Sequence, residues 1–92
     1  MIQAFKCSDT ENMFNGLRIA RFVNIENVAM RKLAMLNRAE VIADLRLPPA
    51  NHLEALKGDR KGQYSIRVND QWRVCFKFEN GQAFDVEIVD YH

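Results

Sequence analysis

This 92-residue chain has no long apolar segment. A membrane-spanning helix needs roughly 20 consecutive apolar residues, and no run in the sequence approaches that length. The opening stretch MIQAFKCSDT also lacks the positive charge followed by an apolar core that marks a secretory signal. We therefore expect a protein that does not enter the membrane and that works in the cytoplasm.

Cysteine is scarce, with only Cys7 and Cys75 in the chain. Thiols stay reduced in the cytoplasm, so a disulfide between the two is not expected. Free cysteine usually behaves as a small buried hydrophobic residue, and neither thiol has a histidine near it in the sequence to activate it as a nucleophile. We expect both cysteines to be buried structural residues.

Repeats, linkers and low-complexity stretches are absent as well. With 48% hydrophobic and 27% charged residues, the composition is that of an ordinary globular chain. A chain of 92 residues has room for one hydrophobic core, so we expect a single domain over residues 1–92.

Positive and negative charges nearly balance, at a net +1, but they are separated along the chain. Residues 18–38 contain five basic residues and one acidic residue, and residues 57–77 contain six basic and two acidic residues. Residues 79–92 contain four acidic residues and no Lys or Arg. Basic segments of this kind suit anionic partners, although solvated faces explain them equally well.

The first half of the chain has helical signals. Ser8-Asp9-Thr10-Glu11 matches a capping box and predicts a short helix that ends near Gly16. Asn24 is the predicted cap of a longer helix. The apolar residues expected on the buried face of that helix are Ile25, Val28, Ala29, Leu33 and Leu36.

A third helix is predicted from Arg38 to Leu45, before the pair Pro48-Pro49 prevents its continuation. Its inward residues are expected to be Val41, Ile42 and Leu45.

Alternating patterns predict strands at the start of the chain and after Gly62. The predicted strands are Met1 to Lys6, Tyr64 to Val68, Trp72 to Phe78 and Ala83 to Asp90. Asn69-Asp70-Gln71 and Asn80-Gly81 form the turns, the second as a two-residue hairpin. Helices followed by strands predict an α+β fold, with the N-terminal helices packed on one face of an antiparallel sheet and the other face open.

The open face of this sheet is where we expect function. If the apolar residues face the helices, the outward residues are Ser65, Arg67, Arg73 and Lys77. Arg67 and Arg73 form the strongest pair, because side chains on neighbouring strands are close enough to hold one phosphate. Cations beside aromatic rings suit single-stranded RNA. These arginines could instead balance Asp85 and Glu87 across the sheet.

Two further segments could add chemistry. The glycines of the basic loop LKGDRKG at 56–62 allow its backbone to approach a ligand closely. A phosphate-binding loop needs a following helix, however, and here a strand follows, so the segment is also explained as a plain turn. Asp90-Tyr91-His92 can supply acid and base for moving a 2′-hydroxyl proton and protonating a 5′-oxygen, or can be a solvated tail. Asp85, Glu87 and Asp90 cannot converge on a metal without a bulge.

Three segments together resemble the HigB toxins of the RelE/ParE superfamily: LKGDR at 56–60, YSIRVNDQWRVCF at 64–76 and VDYH at 89–92. The resemblance covers essentially the whole chain. It implies a compact RelE-like microbial ribonuclease fold and a toxin of a type II toxin–antitoxin system that cleaves messenger RNA in the ribosomal A site without a metal or cofactor. It also implies a HigA-type helix-turn-helix antitoxin as partner, through which the complex binds its own operator DNA.

The resemblance assigns roles residue by residue. Asp90, Tyr91 and His92 form the catalytic end, with His92 as the proton-transfer group. Arg73 and Lys57 match the cations that stabilise charge on the scissile phosphate. The basic residues assigned to RNA contact are Arg60, Arg67 and Lys77.

One position departs from the family. Some members have a second active-site histidine three residues before the lysine of LKGDR, where this chain has Glu54, and the nearest histidine is His52. Either residue could take that proton. Two non-cleaving alternatives of the same fold also stay open: a toxin that blocks the ribosome, and a ParE-like poison of DNA gyrase that uses the basic segment 18–38.

Overall fold

The structure, a computed structural model, describes residues 1–91 and places two α-helices ahead of a four-stranded sheet. The helices are α1, Ser8–Phe14, and α2, Glu26–Arg38. The strands are β1, Glu54–Ala55; β2, Tyr64–Arg67; β3, Trp72–Glu79; and β4, Gln82–Asp90. Short 3-10 helices cover Ala20–Ile25, Ile42–Arg46, Pro49–Asn51 and Gly58–Arg60. This architecture confirms the predicted α+β class.

The sheet is antiparallel throughout, in the order β1-β2-β3-β4. Asn80 and Gly81 connect β3 to β4 with φ of 51° and 77°, as predicted for a two-residue hairpin. Glycine is needed at 81 for a second reason, since a Cβ there would lie 3.1 Å from the carbonyl oxygen of Glu40.

The predicted first strand, Met1 to Lys6, does not form a regular strand. It lies parallel to β4 and pairs through isolated bridges, Ile2 with Ala83 and Phe5 with Val86. Asp85, between those two partners, has a left-handed φ of 52° at the point where the β3–β4 register shifts. This bulge interrupts the ladder, so the pairing cannot be continuous.

α1 begins one residue earlier than the capping-box pattern predicts. Its N-cap is Cys7, so Ser8 already lies within the helix and its hydroxyl makes no capping bond. The predicted end is confirmed, because Asn15 is the C-cap and Gly16 follows with φ 97°. Fully buried Thr10 then ties the helix to the sheet, accepting a hydrogen bond from the amide of Ile88 at 3.1 Å.

α2 starts at Glu26 with Ile25 as its N-cap, because a 3-10 helix rather than a loop precedes it and includes Asn24. Its predicted apolar face is buried except for Val28, which is half-buried. Within residues 1–91 no helix is both long and apolar enough to cross a bilayer.

The third predicted helix, Arg38 to Leu45, is wrong. α2 continues through Arg38, extended backbone follows at Ala39, and only the 3-10 helix Ile42–Arg46 forms. The Asp44 carboxylate accepts hydrogen bonds from the amides of Glu40 and Val41, at 2.9 and 3.2 Å, and so begins a short turn instead of a helix. Leu45 is buried as expected, whereas Val41 is 55% exposed.

The core lies between the helices and one face of the sheet. Its buried side chains include Met13, Phe22, Leu33, Leu36, Ile66, Val74, Phe76, Val86 and Ile88. Each large apolar side chain stabilises the fold by about 1.5–3 kcal/mol when fully buried. Cys75 is also fully buried, as expected, while Cys7 is half-buried and accepts a hydrogen bond from Arg21 at 3.2 Å.

Candidate active site

The sheet face opposite the core carries two rows of side chains across the strands. Residues directly opposite each other in an antiparallel pair point to the same face, with Cβ atoms about 4.5–5.5 Å apart. The register gives one row of Glu54, Ser65, Cys75 and Glu87, and a neighbouring row of Arg67, Arg73 and Val89. We call these seven residues the charged face.

Part of the charged face is covered, contrary to the prediction of an open surface. Ser65 and Cys75 are fully buried. Arg60 comes from the loop beyond β1, yet its Nη1 lies 2.8 Å from Oε1 of Glu87 on β4. The loop that carries Arg60 therefore lies against this face of the sheet, with the guanidinium near Cys75 and Glu87. Burial accordingly raises the pKa of the Cys75 thiol, which is typical of a structural cysteine.

Arg73 lies where the covered and exposed parts of this face meet. Its Nε donates to Oγ of Ser65 at 2.7 Å, and its Nη2 donates to the carbonyl oxygen of His52 at 2.6 Å. The side chain is only 13% exposed, so the expectation that it points freely into solvent is wrong. Within residues 1–91 these hydrogen bonds engage Nε and Nη2 of the guanidinium.

Among the described residues, Arg73 has one carboxylate at ion-pair distance, that of Glu54. Its two hydrogen-bond acceptors are neutral, and the carboxylate of Glu54 lies 3.9 Å away on an exposed side chain. The ring of Tyr91 is 5.9 Å from the guanidinium carbon. A guanidinium whose hydrogen-bond acceptors are neutral still attracts an anion, and its planar set of N–H donors matches the oxygens of a phosphate.

The cations assigned to RNA contact each have a carboxylate partner. Arg60 binds Glu87, and that hydrogen bond raises the pKa of Arg60. Lys77 lies 3.3 Å from Asp85. Asp85 and Glu87 are therefore paired with Lys77 and Arg60, and not with Arg67 and Arg73 as the alternative proposed. Lys77 is also four residues from Arg73 along β3, about 13 Å at the usual rise per residue, and so lies at the other end of the sheet.

Arg67 differs from those two. It pairs with Asp70 in the turn after β2, and Asp70 is 97% exposed. An ion pair with so exposed a partner contributes little and is readily exchanged for another anion. Because Arg67 is the register partner of Arg73, the two guanidinium groups can approach one phosphate or two successive ones.

The end of β4 is held against the β2–β3 turn. The amide of Tyr91 donates to the carbonyl of Gln71 at 2.7 Å, and Nε2 of Gln71 donates to Oδ2 of Asp90 at 3.0 Å. This places the Tyr91 ring beside Arg73, with the ring partly exposed. His92, the predicted proton-transfer group, lies outside the described residues.

The loop before β2 supplies the other predicted residues. Lys57 is exposed and comes directly before the 3-10 helix Gly58–Arg60, while its neighbour Leu56 is buried and anchors the loop. His52 meets Arg73 through its main-chain carbonyl, whereas Glu54 presents a carboxylate to it. Of the two candidates for the second proton-transfer group, Glu54 is the one whose ionisable group the structure places beside Arg73.

The acidic residues of β4 take separate partners even though a bulge is present. Asp85 pairs with Lys77, Glu87 with Arg60, and Asp90 with Gln71. Across the described part of the chain, no three potential metal-ligating side chains come together.

Sequence reasoning missed the anchors of Arg73. Ser65 lies on the same face as Arg73, as expected, but its burial and its hydrogen bond to Arg73 were not predicted. The carbonyl of His52 has no sequence signal, because any residue carries one. β1 was missed as well, since two residues are too few for an alternating pattern to be recognised. The register partner of Ser65 in β1 is Glu54, which would have indicated its position beside the arginines.

These residues can bind an anion and handle a proton in one place. Arg73 and its register partner Arg67 provide positive charge, Tyr91 provides a hydroxyl and a ring, and Glu54 provides a carboxylate. Such a set suits a phosphodiester, whose transfer requires charge stabilisation at phosphorus and proton movement at the attacking and leaving oxygens.

Comparison with known proteins gives one family. A family model described as the RelE-like toxin of type II toxin–antitoxin system HigB matches residues 8–92. The toxin HigB-1 of Vibrio cholerae serotype O1 is 47% identical over 62 residues, which are 67% of this chain and 65% of that protein. The endoribonuclease HigB of Proteus vulgaris is 50% identical over 40 residues, which are 44% of each chain. The matched part therefore spans less than two thirds of these relatives.

Solved structures share the fold. The structure of YafQ from E. coli strain BL21(DE3) superposes with a TM-score of 0.65, at 14% identity, over 98% of this chain and 91% of that one. YoeB from a heterotetrameric YoeB–YefM toxin–antitoxin complex of Staphylococcus aureus gives a TM-score of 0.57, at 17% identity, over 100% and 98% of the two chains.

Proposed function

Because the chain belongs to the HigB family of RelE-like toxins of type II toxin–antitoxin systems, we propose that it cuts messenger RNA on the ribosome and so inhibits translation. The observation that carries this proposal is the state of Arg73. Its guanidinium is held in place by two neutral acceptors, next to Tyr91 and on the strand position opposite Arg67.

The reaction we propose is attack of a 2′-hydroxyl on the adjacent phosphorus. The bond from the 2′-oxygen to phosphorus forms, the bond to the 5′-oxygen breaks, and a 2′,3′-cyclic phosphate and a 5′-hydroxyl result. One group removes the 2′ proton and another protonates the 5′-oxygen. Nη1 of Arg73 meets a non-bridging oxygen, where charge builds up in the transition state.

The proton-transfer groups are assigned from the family resemblance, and for Glu54 the distance of 3.9 Å to Arg73 supports the assignment. His92 is the principal one, because an imidazole exchanges protons near neutral pH. Asp90 orients it, and Tyr91 stacks on a base or donates its hydroxyl. Glu54 supplies the second proton-transfer group in place of the histidine found in some relatives, and Lys57 adds positive charge at the phosphate.

The proposed partners follow from the same family. An antitoxin of the HigA type, with a helix-turn-helix domain, binds this toxin, and the complex represses its own promoter through the antitoxin. A toxin–antitoxin complex of one fold relative, YoeB–YefM, supports an antitoxin as partner. The ribosomal A site positions the messenger, since binding in the correct geometry lowers the barrier by itself.

The test is primer extension on a messenger incubated with purified protein, with and without translating ribosomes. We expect cuts inside the translated reading frame, and only when ribosomes are present. The net charge is +1, and Arg60 and Lys77 are paired with carboxylates, so the protein should bind free RNA weakly. Efficient, site-specific cutting of naked messenger contradicts the ribosome requirement. Arrested translation with intact messenger identifies a blocking toxin instead, and inhibited supercoiling by gyrase identifies a ParE-like poison.

A further inference from the structure

Asn51 is a fully buried polar residue that joins the loop before β1 to the helical layer. Its Nδ2 donates to the carbonyl oxygens of Leu45 and Leu47, at 3.1 and 3.3 Å, and lies 3.0 Å from Sδ of Met35. Its Oδ1 accepts from Nζ of Lys32 at 2.6 Å. A buried amide whose donors and acceptor are all used fixes the main chain at this point, since leaving them unpaired is costly.

The next residue, His52, connects the fixed main chain at Asn51 to Arg73. Its φ of 44° is in the left-handed region, which residues other than glycine seldom adopt. In this conformation its carbonyl oxygen faces Arg73 and accepts from Nη2 at 2.6 Å. One peptide unit therefore separates the Asn51 side chain from an anchor of Arg73.

The two anchors of Arg73 are held in different ways. Ser65 lies on β2, next to β3, so the sheet itself fixes its hydroxyl relative to Arg73. The His52 carbonyl lies in a loop, and the strand that follows is only two residues long. Its position depends on contacts with the rest of the protein, and Asn51 is joined to α2 by the hydrogen bond from Lys32 and by its contact with Sδ of Met35.

We propose that Lys32 and Asn51 are positioning residues, which hold the His52 carbonyl so that the guanidinium of Arg73 presents Nη1 to the scissile phosphate. The pair spans from α2 to the site and touches no substrate. This role rests on the proposed function, because the orientation of Arg73 matters for cleavage only if Arg73 meets the reacting phosphate.

Lys32→Met is the test variant, because Asn51→Ala creates a cavity at a fully buried position and destabilises the fold. Methionine keeps most of the apolar stem of Lys32 and removes the donor to Asn51. In ribosome-dependent cleavage we expect kcat to fall about tenfold with KM nearly unchanged, as for a group whose misplacement is felt in the transition state. Arg31→Met is the matched control, since it removes the same charge from an exposed neighbour on α2. Lys32→Arg should restore most of kcat.

A double-mutant cycle separates positioning from general destabilisation. In an Arg73→Ala background, Lys32→Met should cause no further loss in single-turnover cleavage, because the residue it positions is gone. Losses that multiply would mean that Lys32 acts independently of Arg73, and the proposal would be overturned.

A measurement that needs no activity keeps this proposal distinct from the proposed function. Exchange of the Arg73 Nη2 protons, followed by NMR, should be about tenfold faster in Lys32→Met and unchanged in Arg31→Met, because Nη2 is the group that donates to the His52 carbonyl. Unchanged exchange in Lys32→Met refutes the positioning role. If the wild-type protein fails to cut messenger, the proposed function fails while the exchange result still decides the anchor.

Discussion

Arg73→Ala tests the central assignment, and the structure predicts two separate effects. The first is on cleavage. Removing a group that meets transition-state charge typically lowers kcat by about 100-fold or more, which corresponds to about 2.7 kcal/mol. The second is on stability, because the side chain is largely buried and donates to two acceptors.

The loss of stability can be worked out from those contacts. A hydrogen bond to a charged group contributes about 1.5–3 kcal/mol, and Arg73 makes two short ones. Water can partly replace the guanidinium at this edge of the site, so we expect a net loss of about 2–4 kcal/mol. For a domain of this size each 1 kcal/mol lowers Tm by about 4–8 °C, so a decrease of about 8–32 °C should be seen by circular dichroism.

Cleavage must therefore be measured well below the Tm of the variant, by primer extension on translating ribosomes. Ser65→Ala is the matched control, because it removes one anchor and keeps the guanidinium. We expect it to cost about 1 kcal/mol of stability and less than about tenfold in cleavage. If folded Arg73→Ala cuts within about threefold of wild type, the charge assignment is wrong. If Ser65→Ala loses as much as Arg73→Ala, the loss comes from disorder of the site and not from the missing charge.

Other perturbations have equally definite outcomes. Deleting His92 should abolish growth arrest and cleavage while Tm and antitoxin binding stay near wild type, and a deletion variant that still cuts at wild-type levels contradicts its role in proton transfer. Asp44→Ala should lower Tm at pH 7, because the amides of Glu40 and Val41 hold the pKa of that carboxyl below its ordinary 3.8. The stabilisation exists above the unfolded pKa and is lost as pH falls through the folded one, so the Tm difference between the two proteins should close in acid; a constant difference across pH would refute it.

The sequence by itself determined the features that depend on neighbouring residues. Alternation over 72–78 and 83–90 identified two strands, and Asn80-Gly81 identified the hairpin, because strand periodicity and positive φ are local properties. The helical spacing around Leu33 located α2 for the same reason. The three quoted segments also sufficed to recognise the family.

Local patterns failed where a nearby polar group or the sheet overrode them. The apolar residues of 41–45 suggested a helix, but the Asp44 carboxylate captured two backbone amides and a 3-10 turn formed. Alternation over Ala83 to Asp90 assumed an even strand, but Asp85 entered the left-handed region and shifted the register with β3. The free energy of one such contact is comparable to the helix or strand propensity of a few residues. Periodicity alone therefore cannot predict which conformation forms.

Only the tertiary structure decided which charges are available. A count of charges along the sequence does not distinguish among the six basic residues between 57 and 77. Folding brings Glu87 to Arg60 across 27 positions and the carbonyl of His52 to Arg73 across 21. Arg60 is thereby hydrogen-bonded to a carboxylate at 2.8 Å, whereas Arg73 donates its short hydrogen bonds to neutral oxygens and has its nearest carboxylate, that of Glu54, at 3.9 Å. Contacts between residues so far apart depend on how the loop and strands pack together, and no pattern of neighbouring residues encodes them.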